Sequence, residues 1–207
     1  MRDVNKEPIF KSVFADKWDS LPAVMKKHYA NLPYSNDVTS IEGKMDISYS
    51  KLVQLFSPLL RMTGILVPYK GTDIPVNVHF GSNPETKEFR FDRIFYFPNR
   101  KPYHFRSSMI QIGKNHNDIV EVMNFGLTWK TAYKFEDDRV ILEHKGYMLK
   151  IFDKYINLPI TFLLGKGSAV EEAISDDCFK MRMELNHPIL GILFEYKGTF
   201  RILGEAE

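Results

Sequence analysis

One cation lies within an apolar row. In Phe89-Arg-Phe-Asp-Arg-Ile-Phe-Tyr-Phe97, odd-numbered residues share one face of an extended chain, so Arg93 projects with Phe89, Phe91, Phe95 and Phe97. A guanidinium out of water is costly unless it is paired and hydrogen-bonded. Three arrangements meet that requirement. Arg93 faces an interior carboxylate, for which Glu121 and Glu42 are the candidates; it lines a wet cavity that receives an anionic head group; or a bulge reverses its parity where the strand leaves the core.

Other constellations carry less information. Tyr103-His-Phe-Arg-Ser-Ser108 sets His104 and Arg106 on one face, where they either grip a carboxylate or phosphate or stand in solvent. Asn77 and His79 invite the same two readings, and Glu42 with Asp46 is either an acid/base pair or two solvated carboxylates. The six histidines show no HxH or HExxH spacing and no pairing with cysteine, so no metal site is expected. Cys178 has no visible base beside it and falls opposite Phe179, as a bland thiol would. Gly165-Lys-Gly167 matches the start of a dinucleotide fingerprint, but Val170 stands where the third glycine belongs and no βαβ unit surrounds it. A glycine turn and no cofactor are expected.

The elements that position these residues are mostly strands. Period-two runs fall near 41–49, 74–80, 86–97, 103–112, 118–124, 127–135, 139–149, 157–163, 177–186 and 192–202, separated by turn chemistry such as Gly81-Ser-Asn-Pro84, Asp137-Asp138 and Asn186-His-Pro188. In 178–185, Phe179, Met181, Met183 and Leu185 face one way while Lys180, Arg182 and Glu184 face the other. Two helical stretches precede most of them. Ser20 and Pro22 start one over roughly 20–30, and Ser50 caps another carrying Leu52, Val53, Leu55, Phe56, Leu59 and Leu60, which Pro58 should kink or divide. Residues 1–17 have no clear period, and Ser168-Ala-Val-Glu-Glu-Ala173 reads as a short helix or an edge strand. The fold class is mainly β (α+β): a strongly curved antiparallel sheet or partly closed β-barrel of about ten strands, with one or two helices in the N-terminal third. Ten strands lying flat would leave two long edges open to aggregation, which favours curling.

Several segments resemble a bacterial family, the domain of unknown function 4166. They are Ser40-Ile-Glu-Gly-Lys-Met-Asp46, the apolar helix ending in Val67-Pro68, Gly71-Thr-Asp-Ile-Pro-Val76, Phe91-Asp-Arg-Ile-Phe95, Phe105-Arg-Ser107 and Pro188-Ile-Leu-Gly-Ile-Leu-Phe-Glu-Tyr-Lys-Gly198. They occur in the family's order across residues 20–202. The family often has Trp where Phe91 stands, and its Glu-Arg-Phe-Gly-like segment is met loosely by Glu121 and Phe125-Gly126. The resemblance implies a domain sometimes attached to saccharopine-dehydrogenase-like reductase domains, hence a reductase-type protein partner, and carries over no catalytic residue.

Composition sets the remaining bounds. The 207 residues are 44% hydrophobic and 14% aromatic, enough for a sizeable core in a single domain spanning 1–207. A formal charge of +2, with both signs interleaved, argues against a nucleic-acid partner. No run reaches the ~18 apolar residues of a transmembrane segment, no secretory signal opens the chain, and one cysteine allows no internal disulfide, so a soluble cytoplasmic protein is expected. Three functional classes remain open: a module binding a hydrophobic, lipid-like small molecule in a β-enclosed cavity; a structural or interaction domain with a filled core; and an enzyme or accessory domain working with an NADP-dependent reductase. The candidate site residues are Arg93, His104, Arg106, Glu121 and Glu42.

Overall fold

The computed structural model describes residues 7–58, 64–113 and 115–203. Among them are eleven strands: β1 (Val38–Tyr49), β2 (Gly71–Ser82), β3 (Phe89–Phe95), β4 (Tyr103–Gln111), β5 (Asp118–Val122), β6 (Leu127–Glu136), β7 (Arg139–Ile151), β8 (Lys154–Leu158), β9 (Lys166–Ala173), β10 (Cys178–His187) and β11 (Gly191–Ile202). All neighbours are antiparallel, in the order β6-β5-β4-β3-β2-β1-β11-β10-β9-β7-β8, and a further pairing of β6 with β7 closes the ring. Ten strands thus form a barrel, with β8 as an eleventh outside the cycle. Closure removes the long open edges that a flat sheet of these strands would expose.

Local chemistry explains the turns of the chain. Asp137 and Asp138 both take positive φ, 51° and 58°, which gives the two-residue connection between β6 and β7 the twist that an antiparallel pair needs. Gly146 divides β7: residues 139–143 pair with β9 and complete the wall, whereas residues 147–151 pair with β8. Its φ of 130° and the register shift opposite, between Lys130 and Thr131, bend the strand at that fork.

Two sequence expectations are corrected here. Residues 168–173 are neither helix nor edge, because β9 is hydrogen-bonded on both sides, to β10 and β7. The expected strand over 157–163 is instead the end of β8 followed by a short helix, Thr161–Leu164. Alternation alone could not separate these cases, since β9 turns small residues, Gly167 and Ala169, to the interior and Val170 outward.

The helices lie at the ends. Residues 1–17, unassigned from sequence, contain α1 (Ile9–Phe14), which runs into a 3-10 turn, Ala15–Ser20, and then α2 (Ala23–His28). Ser20 closes the 3-10 turn and caps nothing; Pro22 sits at the N-cap position of α2. Ser50 does cap α3 (Lys51–Leu55), its hydroxyl accepting from the Val53 backbone N–H. Leu59 and Leu60 lie outside the described residues. With α4 (Thr161–Leu164), α3 sits at one end of the barrel, among the loops that join β1–β2, β5–β6 and β10–β11. The other end is stoppered by α1 and α2, whose Phe10, Phe14, Val24, Met25 and Tyr29 join Phe80, Phe89, Met109 and Tyr133 in the core.

Candidate functional site

The two ends of the barrel are filled differently. At the stoppered end Phe10 packs on Tyr29, Phe89 and Tyr133 with ring centroids 4.6, 5.6 and 5.4 Å apart. Toward the other end the side chains stop short of one another and leave a cavity of about 450 Å³. Its lining is nearly all apolar: Phe105, Leu127, Trp129, Met183, Leu185 and Leu193 from the strands, Met123 from the β5–β6 loop, and Leu52, Val53, Phe56, Leu163 and Leu164 from the helical segments above. Leu52, Phe56 and Leu163 are at once lining and solvent-exposed, so the cavity reaches the surface between α3 and α4.

Arg93 stands on the cavity wall at 5% exposure, as its parity on β3 requires. One terminal nitrogen donates to Glu121 Oε1 at 2.5 Å and to Ser107 Oγ at 2.7 Å, and Ser107 in turn donates to the same carboxylate oxygen at 2.7 Å. The guanidinium is sandwiched between Phe91 and Phe105, 4.1 and 4.0 Å from their ring centroids. Arg93 Nε is buried and has no hydrogen-bond partner among the described residues. Tyr196 completes the polar spot; burial pushes its phenol up to about 12, against the pull of Arg93. Tyr147, which donates to the Gly165 carbonyl, is held above the ordinary range by burial.

Of the residues singled out from sequence, the structure brings Arg93 and Glu121 together at the cavity and leaves the others away from it. Glu42 points outward on β1 and is no partner of Arg93. His104 and Arg106 face outward on β4 and converge on Asp92 of the adjacent strand, at 3.0 and 3.2 Å. They do grip a carboxylate, but one of their own chain. His79 bonds Ser40, and Asp46 accepts from the Asp73 backbone; both lie on the outer face. Gly165-Lys-Gly167 serves packing: Gly165 has φ 81°, and a Cβ on Gly167 would come within 2.8 Å of the Trp129 ring.

A second buried polar cluster was missed from sequence. Glu171 of β9 is 7% exposed, accepts from the Tyr29 hydroxyl at 2.5 Å and lies 4.0 Å from His28 Nε2. Without a cation, burial pushes its carboxyl up to about 7, and burial pushes His28 down to about 3. Tyr133 lies within reach of both carboxylates, Glu171 and Glu121, and with burial they hold its phenol well above the ordinary range. The available signal was parity: Glu171 alternates with Gly167 and Ala169, residues small enough to face a crowded interior.

Comparison with known proteins adds a family. A family model described as "Domain of unknown function (DUF4166)" matches residues 21–200. No curated protein matches. Among solved structures, similarity extends to a REP1-NXSQ fatty acid transporter, at 11% identity over 81% of this chain and 96% of that one, with a TM-score of 0.35. It also extends to the dehydratase domain of the polyketide PpsC from Mycobacterium tuberculosis (6% identity, 88% and 81% covered, TM-score 0.20) and a trans-AT PKS dehydratase domain from Brevibacillus brevis (13%, 80% and 77%, 0.22). Likenesses this distant support no inference about binding or catalysis.

Proposed function

For this chain, which belongs to the family of domain of unknown function DUF4166, we propose that the barrel binds an amphipathic small molecule, its apolar part among the leucines and aromatics and its polar end at Arg93. The observation that carries this reading is a cavity of about 450 Å³ with apolar walls and one buried, hydrogen-bonded ion pair. That volume falls within the range of about 300–1,000 Å³ typical of small-molecule pockets, and few convergent polar groups on greasy walls are what such pockets use to orient a ligand.

The ion pair also restricts the head group. Arg93 is already neutralised by Glu121. An ionised carboxylate entering beside them would leave one net negative charge out of water, which is costly. A hydroxyl, ester or amide adds no charge and can hydrogen-bond to the polar residues that line the cavity there, Arg93, Glu121 and Tyr196. The ligand class is therefore an uncharged amphiphile, such as a monoacylglycerol or a long-chain alcohol, rather than a fatty-acid anion. A lone thiol at Cys178 suits a reducing cytoplasmic setting.

Native mass spectrometry of freshly purified protein, followed by titration with glycerol monolaurate, tests the proposal. A saturable one-to-one complex is expected, and Val53→Trp, which fills the mouth, should abolish it without lowering the melting temperature. A wild-type protein that takes up no amphiphile under either measurement would remove the reading and leave a structural domain.

A further inference from the structure

We infer that the open end of the barrel is a docking surface for an anionic lipid bilayer. The loops joining β1–β2, β5–β6, β7–β8, β8–β9 and β10–β11 converge at this end, and their tips project large apolar side chains into solvent. Leu55 is 73% exposed, Phe125 76%, Phe152 91%, Phe162 74%, Leu163 63% and Ile189 86%. Isolated exposed apolar residues are ordinary; a ring of them around one opening is not.

Charge separates the two ends in the same sense. Lys51, Lys70, Arg100, Lys101, Lys154 and Lys166 stand exposed on or beside these loops and the β3–β4 loop, and none forms an ion pair among the described residues. In the described parts of the same loops the one acid is Asp153. The described parts of the turns at the stoppered end reverse the balance: 82–88, 112–117, 137–138 and 174–177 hold Glu85, Asp137, Asp138, Asp176 and Asp177 against Lys87, with Glu88 paired to Lys150. The helical stopper over 7–29 is nearly balanced, Glu7, Asp16 and Asp19 against Lys11, Lys17, Lys26 and Lys27.

A bilayer fits this surface better than a protein does. A protein partner needs a continuous apolar core inside a polar rim. Here the apolar side chains stand on separate loop tips with cations between them, which suits insertion past anionic head groups. The cavity reaches the surface within this ring, between Leu52, Phe56 and Leu163. The inference does not rest on the ligand reading, because docking is measured on the protein itself.

Co-sedimentation with vesicles decides it. Wild-type protein should pellet with phosphatidylcholine vesicles containing about one quarter phosphatidylglycerol, and much less with phosphatidylcholine alone. Because both side chains are exposed, Phe152→Ser with Phe162→Ser should keep the melting temperature while lowering vesicle partitioning about ten-fold or more. Lys101→Glu with Lys154→Glu should remove most of the preference for anionic vesicles. Wild-type protein left in the supernatant with anionic vesicles would overturn the inference, as would serine variants that pellet like wild type. Sedimentation velocity showing a dimer that those serines dissociate would also overturn it, by assigning the ring to a second copy of the chain.

Discussion

Among the described residues, each half of the barrel turns one carboxylate inward, Glu121 in one and Glu171 in the other, and the two are handled by opposite means. Glu121, beside the cavity, keeps an arginine at 2.5 Å and a serine hydroxyl on the same oxygen. Glu171, in the packed half, meets a phenol and a neutral imidazole, and burial pushes its carboxyl up to about 7 against the pull of the Tyr29 hydrogen bond. A counter-ion keeps a polar spot ready on the wall of a hollow; a proton lets a carboxyl sit inside a solid aromatic stopper. The hollow half has the fixed dipoles that a ligand can use, and the filled half has the packing that holds the barrel shut.

The largest expected effect comes from removing half of the ion pair. Arg93→Met leaves Glu121 buried without its cation and should cost about 3–5 kcal/mol in urea unfolding. Adding Glu121→Leu should restore most of that loss; a double variant no more stable than the single one would contradict the pairing as the source. Phe10→Ala opens a hole in the aromatic stopper and should cost about 3–5 kcal/mol, whereas Val53→Ala, at the rim of an existing cavity, should cost under about 1 kcal/mol. Equal losses at the two positions would erase the distinction between filled and hollow ends.

The pH profile sharpens the comparison further. Folded Glu171 holds its proton more tightly than the unfolded residue, so its contribution is present below about pH 4.5 and fades as the pH rises through about 7. The total is on the order of 3 kcal/mol. His28 works the other way. Its folded value is depressed to about 3, so its contribution is present above about 6.5 and is lost as the pH falls below that. Between about 4.5 and 6.5 the two slopes oppose each other, and this cluster should leave wild-type stability nearly level. Glu171→Gln should expose the histidine slope, with a loss on the order of 2 kcal/mol between pH 6.5 and 4.5. Chemical denaturation at a series of pH values reads this directly; a profile unchanged by the substitution would refute the assignment. The smallest effect is expected outside: Arg106→Ala should change stability by under about 0.5 kcal/mol and leave amphiphile binding untouched.

The wall of the barrel was legible in the chain because alternation is a local property. Arg93 was legible for the same reason: a cation at an inward position is a local contradiction that only an interior partner or a ligand resolves, and Glu121 was among the named candidates. What defeated sequence reading was distance and size. Glu171 finds Tyr29 across 142 positions of chain, a pairing no window contains. Its strand shows small residues inward and Val170 outward, so the usual sign of a buried face is inverted. His104 and Arg106 suggested a ligand grip because Asp92, which they hold, belongs to the neighbouring strand, and strand register is set by the whole sheet.

Displacement of a bound neutral fluorophore such as Nile red by glycerol monolaurate tests the central claim most directly, run beside laurate and beside the Val53→Trp variant. The expected result is saturable one-site displacement by the monoglyceride, laurate weaker by about ten-fold or more at neutral pH, and no site in the variant. Fluorophore binding that Val53→Trp leaves unchanged, or laurate competing as well as its neutral ester, would contradict an uncharged amphiphile seated against Arg93.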